Sequence, residues 1–118
     1  MQIKILGQTP SKKNQRNLFV RNGRIVNIPS KKHAEWEKDA LLQLRADKGQ
    51  ADGKVTVAYQ FYVKDNRARD IDNMVASVND VLVKAGLIKD DSWQWVAIGA
   101  ADAEIDKKNP RVEIWIDE

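Results

Sequence analysis

A 118-residue chain without cysteine cannot use disulfides, thiolate-bound metals or a cysteine nucleophile, and its length suits one domain, residues 1–118, with a modest core. Hydrophobic residues at 42% and charged residues at 31% point to a soluble globular protein. No apolar run is long enough to cross a bilayer and residues 1–9 lack the apolar stretch of a signal peptide, so no membrane partner and a cytoplasmic location are expected.

The net charge of +3 hides an asymmetry. Residues 1–32 hold eight basic side chains (Lys4, Lys12, Lys13, Arg16, Arg21, Arg24, Lys31 and Lys32) and no acidic one. The remainder carries 12 basic and 17 acidic residues, a balance of −5. A cationic front of this kind attracts polyanions, DNA and RNA first among them; it also serves as a solvated basic surface.

In chain order, residues 2–6 alternate apolar and polar as a strand does. Residues 8–17 are polar, contain Pro10 and read as a loop. Arg21-Asn22-Gly23-Arg24 lies between two β-prone runs in residues 18–28, a hairpin signal because Asn and Gly both tolerate positive φ. Ser30 can cap a helix running to about residue 48, with Ala34, Trp36, Ala40, Leu41 and Leu44 as its apolar positions and His33 on its solvated face. Residues 49–53 break it.

Residues 54–64 form the clearest strand, with Val55, Val57, Tyr59, Phe61 and Val63 on one side and Thr56, Gln60 and Lys64 on the other. A charged loop, 65–69, leads to a helix over about 72–85, whose face is Ile71, Val75, Val78, Leu82 and Ala85. Gly86 stands where a left-handed C-terminal cap belongs. A polar turn at 90–92 precedes strands at 93–101 and 111–116, joined by residues 102–110. This order predicts an α+β domain with a mixed or antiparallel sheet and two main helices.

The chemistry-bearing stretch is Arg69-Asp70-Ile71-Asp72-Asn73, with Asp90-Asp91 following the helix. Hard cations such as Mg²⁺ take carboxylate oxygens, water and substrate phosphate as ligands, and paired ions stabilise both the attacking and the leaving oxygen of a phosphodiester. The same residues are also ordinary capping and turn chemistry, with Asp72 accepting backbone N–H bonds at the helix start. Lys12, Lys13, Arg16, Arg21 and Arg24 suit phosphate contacts, which confer affinity without sequence. Asn14 and Gln15 could reach base edges. Phe19 reads as core or as a wedge against a nucleic acid. Trp93, Trp95 and Trp115 read as core, interface or stacking residues.

Arg69-Asp70-Ile71-Asp72-Asn73, then Asn79-Asp80-Val81-Leu82, then Lys84-Ala85-Gly86-Leu87-Ile88-Lys89-Asp90-Asp91 together resemble the signature of the RusA-type Holliday junction resolvases. Pro10-Ser11 and the basic loop after them are similar to the family's start. The resemblance implies a homodimeric endodeoxyribonuclease that nicks two strands of branched DNA, a four-way junction, symmetrically with Mg²⁺, Mn²⁺ being a substitute. It implies that Asp70, Asp72 and Asp91 are the catalytic and metal-binding acids, with Asp90 beside them, Arg69 on the DNA and Asp80 structural. The chain departs from the family at Ala76, where the signature has a lysine. Lys12, Lys13 or Lys84 would have to replace that lysine; otherwise the chain binds junctions and cuts them weakly or not at all. A metal-dependent phosphatase of another class is a third reading, although the chain lacks a Gly-rich phosphate loop.

Overall fold

The computed structural model describes the chain except residues 12–15, 22–23, 30, 48 and 50, and describes the backbone alone for strands 16–21 and 24–29. The elements are β1 (Gln2–Leu6), β2 (Arg16–Arg21), β3 (Arg24–Pro29), α1 (Lys31–Gln43), a 3₁₀ turn (Leu44–Ala46), β4 (Val55–Val63), α2 (Ile71–Lys84), β5 (Val96–Ile105) and β6 (Arg111–Asp117). Four strands form a mixed sheet in the order β1-β6-β4-β5, with β4 and β5 parallel and the other neighbours antiparallel. The α+β expectation therefore holds. The predicted hairpin is present as β2 against β3, with Arg21 opposite Arg24; the Asn22-Gly23 tip lies outside the described residues. Among the described residues, no helix is long and apolar enough to cross a membrane.

The alternation in β4 is realised in full. Val55, Val57, Tyr59, Phe61 and Val63 are all buried, and Thr56 is exposed. Ile3 and Ile5 of β1 and Val112, Ile114 and Ile116 of β6 join them in the core. Helix α2 covers this layer with Met74, Val75, Val78, Val81 and Leu82. It ends as the sequence predicts. Gly86, at φ +79°, donates its N–H to Val83 O at 3.0 Å, and Leu87 N–H reaches Leu82 O at 3.0 Å. This pair of bonds is the Schellman pattern that glycine allows without a Cβ clash.

Three expectations are corrected. Helix α1 stops at Gln43, short of residue 48, because Leu44–Ala46 tightens into a 3₁₀ turn. His33 is buried, not solvated: it packs edge-on to Trp36, and Nδ1 lies 3.9 Å from Glu37 Oε2. With Trp36, Ala40 and Leu44 it makes the inward face, and Ala34 points to solvent. The strand expected at 93–101 instead runs Val96–Ile105, so Trp93 lies ahead of it at 76% exposure, outside the core.

One extra residue in β5 between Ile98 and Ala101 shifts the register against Val57 and Tyr59. Gly99 sits in that bulge, where an added Cβ would come within 3.3 Å of Val57 O and Thr56 Cγ2. Helix α2 is also tied to β4 by one buried polar bond, Tyr59 Oη–H to Asn79 Oδ1 at 2.5 Å. Burial pushes the Tyr59 hydroxyl pKa up to about 12, although the Asn79 bond opposes the rise. Tyr59→Phe leaves the Asn79 oxygen buried without its donor, and a loss of about 1–3 kcal/mol is expected in denaturant unfolding. Asn79→Leu in the Tyr59→Phe background should recover part of that loss, because both polar partners are then gone.

Candidate active site on the β4–α2 loop

The turn from β4 into α2 is built by charge. Asp65 Oδ1 accepts from Arg67 N–H at 3.1 Å and pairs with Arg69 Nη2 at 2.8 Å. Arg69 Nη1 also donates to the carbonyls of Asp65 and Arg67, at 3.0 and 3.2 Å. The Arg67 backbone N–H first, and then the Arg69 guanidinium, hold the Asp65 carboxyl below its usual range. Only 10% of the Arg69 side chain is exposed, so this residue braces the loop from within. It remains at the rim of the site, but most of its donors are occupied.

That brace delivers Asp70 to the helix mouth. Asp70 is the N-cap, with φ −78° and ψ 112°, and its Oδ1 accepts from the N–H groups of Asp72 (3.0 Å) and Asn73 (3.4 Å). The capping residue is thus Asp70, and Asp72 falls in the first turn, because the helix starts at Ile71. Both carboxylates are exposed, and the helix dipole favours negative charge there. Both bonds to Asp70 fall on a single oxygen, Oδ1.

Asp90 and Asp91 are exposed too, but at the other end of α2. The segment that carries them is tied to the start of β4: Ala51 N–H reaches Leu87 O at 3.3 Å, Lys89 Nζ reaches Asp52 O at 3.0 Å, and Val55 N–H reaches Trp95 O at 2.9 Å. Asp70 follows the end of β4. The fourteen residues of α2 separate the two ends by about 21 Å at 1.5 Å per residue. One protomer therefore brings Asp70 and Asp72 together, and Asp90 and Asp91 together, without joining the two pairs. Accordingly, no group of three or more metal-binding side chains occurs among the described residues.

The donor set still suits a hard divalent cation. Mg²⁺ is commonly held by one or two carboxylates, with water and substrate phosphate filling its other positions. Asp70 and Asp72 offer exposed oxygens of that type on a rigid helix start.

The cations divide. Lys84, a potential replacement for a lysine at position 76, pairs with Glu37 at the far end of α2, away from Asp72 of the same protomer. Ala76 lies one turn beyond Asp72 and is partly buried. Lys12 and Lys13 lie outside the described residues, as do the side chains of Arg16, Arg21, Arg24 and Phe19. Lys64, read from the sequence as an outward strand residue, and Arg67, read as part of a charged loop, are exposed beside Asp70's loop and line the same cleft as Arg69. Gln8 fastens this region, its Oε1 accepting the Lys64 N–H at 2.8 Å across 56 residues of sequence. No local spacing rule detects such a bond.

Comparison with known proteins identifies the family. Residues 8–117 match the family model described as "Endodeoxyribonuclease RusA". The chain is also similar to "Crossover junction endodeoxyribonuclease RusA" of Aquifex aeolicus (strain VF5), at 36% identity over 89 residues, covering 74% of this chain and 69% of that protein. The family match spans the loop 65–70, all of α2 and the Asp90-Asp91 turn, and on it the chain belongs to the RusA family of endodeoxyribonucleases.

Proposed function

We propose that this endodeoxyribonuclease resolves four-way DNA junctions by paired, symmetric nicks, with Mg²⁺ held at Asp70 and Asp72 and with a second copy of the chain completing each site. The observation that carries the reading is the pair of exposed carboxylates at the mouth of α2, inside the segment that matches the family. When bound, Mg²⁺ supplies Lewis-acid polarisation of the phosphodiester and acidifies a water.

The chain's own residues do the rest. Asp70 and Asp72 keep their charge oriented because the loop is locked by Arg69 and Asp65. Lys64 and Arg67 give the phosphate backbone a cationic seat, joined by the basic residues of the first third of the chain, Lys12, Lys13, Arg16, Arg21 and Arg24. The attacking water enters in line with the departing 3′ oxygen, leaving a 5′-phosphate and a 3′-hydroxyl.

The helix length supports a dimer. Asp70 and Asp91 lie at opposite ends of one rigid unit, so two copies related by a suitable two-fold axis would set one protomer's Asp70 and Asp72 against the partner's Asp91, twice. Strand β5 suits such pairing. It is a ten-residue edge with Ile98 and Ile105 at 60% and 50% exposure, and it runs between the same two ends. An antiparallel β5 pair places the start of one strand beside the end of the other.

Asp70→Asn, Asp72→Asn and Asp91→Asn are each expected to lower Mg²⁺-dependent nicking of a synthetic four-way junction by about 10²-fold or more, with binding kept within a few-fold. Asparagine also caps helices, so Asp70→Asn removes charge without removing the cap. Unchanged cleavage in all three variants would overturn the metal assignment. Mixing Asp70→Asn with Asp91→Asn protein tests the shared site. Mixed dimers then hold one intact site and one doubly defective site, so nicking of a single strand returns; sites contained within one protomer would stay dead. Ala76→Lys is expected to speed nicking by about tenfold or more without tightening binding, since a lysine one turn from Asp72 adds positive charge where negative charge develops. If neither the natural chain nor the lysine variant cuts while both bind tightly, the chain is a junction-binding module.

A further inference from the structure

Residues 64–72 set three cations, Lys64, Arg67 and Arg69, against three acids, Asp65, Asp70 and Asp72. Among the described residues these six form a single ion pair, Arg69 Nη2 to Asp65 Oδ1 at 2.8 Å. The choice of partner is informative. Arg69 directly precedes Asp70 and stands three residues before Asp72, so the two acids proposed to hold the cation are close to it along the chain. Its bonds run the other way, into the loop. Nη2 takes Asp65, and Nη1 takes the carbonyls of Asp65 and Arg67 at 3.0 and 3.2 Å.

Asp65 is itself held in place to receive that charge. Its Oδ1 also accepts the Arg67 N–H at 3.1 Å, and the neighbouring Lys64 N–H is fastened to Gln8 Oε1 at 2.8 Å. Asp70 and Asp72 are left exposed, with only Asp70 Oδ1 engaged in the helix cap. Neither acid has a cation paired to it among the described residues.

That division of charge matters for a metal site. A guanidinium lying on a carboxylate competes with any cation for the same oxygens. An opposite charge within a few ångströms changes a carboxylate's affinity for a proton by about one to three powers of ten, and a divalent ion meets the same field. Coordination also needs a carboxylate that is ionised. Without the Asp65 charge, three cations face two acids on this loop, and the Arg69 guanidinium has no other carboxylate there to bind.

We infer that Asp65 is a positioning residue of the nuclease site: it holds the Arg69 guanidinium off Asp70 and Asp72 and so leaves both carboxylates open to the divalent cation. The inference rests on the metal assignment proposed above. It goes beyond bracing of the loop, because it makes the charge of Asp65, acting through Arg69, a determinant of how tightly the cation is held.

The test uses the full-length protein at concentrations that saturate a four-way junction, with two readouts. One is the Mg²⁺ concentration that half-saturates nicking, measured apart from the rate at saturating Mg²⁺. The other needs no cutting: Mn²⁺ uptake by the junction-bound protein, read by electron paramagnetic resonance and counted only where Asp72→Asn abolishes it. Asp65→Asn keeps an oxygen for the Arg67 N–H and loses the charge that holds Arg69. It is expected to raise both half-saturating concentrations about tenfold, with the rate at saturating Mg²⁺ kept within about threefold. Asp65→Glu, which keeps the charge, should stay near the wild type. Combining Asp65→Asn with Arg69→Gln should bring both concentrations back to within about threefold of the wild type, since no guanidinium is left to cover the acids. That recovery would also show that the fold survives the substitution at position 65. Unchanged half-saturation in Asp65→Asn overturns the inference, whatever happens to the rate. A double variant as weak as Asp65→Asn overturns it too, because a loosened loop and not a freed charge is then the cause. Wild-type protein without Asp72-dependent Mn²⁺ uptake overturns the metal assignment itself, and this inference with it.

Discussion

The structure depends on the crossover from β4 through α2 to β5. Parallel neighbours cannot be joined by a tight turn, so the chain must travel the length of the sheet and back. Helix α2 makes the return, clamped to β4 by its apolar face and by the Tyr59–Asn79 bond. This clamp makes the helix a rigid spacer. Asp70 and Asp72 stand at one end of it and Asp90 and Asp91 at the other, and no side-chain motion within one protomer closes that gap.

The same constraint explains the economy of the β4–α2 loop. A short, charged connection would ordinarily be mobile, yet Arg69 spends its guanidinium on Asp65 and on two loop carbonyls. Its charge-assisted bonds hold the backbone that presents Asp70, and Asp70 in turn ties the first turn of α2 through Oδ1. Arg69 thereby acts on the acids more than on the solvent side of the site. Positive charge available to a ligand comes instead from Lys64 and Arg67, which the brace leaves at the surface.

Two features lie around this frame. Strand β5 leaves a long edge with exposed isoleucines, and among the described residues Thr9 Oγ1 and Trp36 Nε1 are buried without a hydrogen-bond partner. Under the proposed function the β5 edge is the face that would meet a second copy. Trp93, exposed ahead of β5 with Lys54 Nζ at 5.7 Å from its ring, belongs to the same outward-facing end as Asp91.

The sequence by itself determined the strands with clean alternation, the apolar face of α2, the Gly86 cap, the hairpin and the family, because each is written in local spacing or in a contiguous signature. It misjudged His33 and Ala34, whose helix has a weak pattern, and it placed Trp93 in a strand that begins three residues later. Only the tertiary structure decided that Asp70 and Asp91 stand at opposite ends of one spacer, that Lys84 is committed to Glu37, and that Thr9, Trp36 and Lys64 share a wall. These are contacts between segments tens of residues apart, brought together by the folding of the sheet. Periodicity and motif spacing describe the chain along its length and carry no record of which distant segments meet.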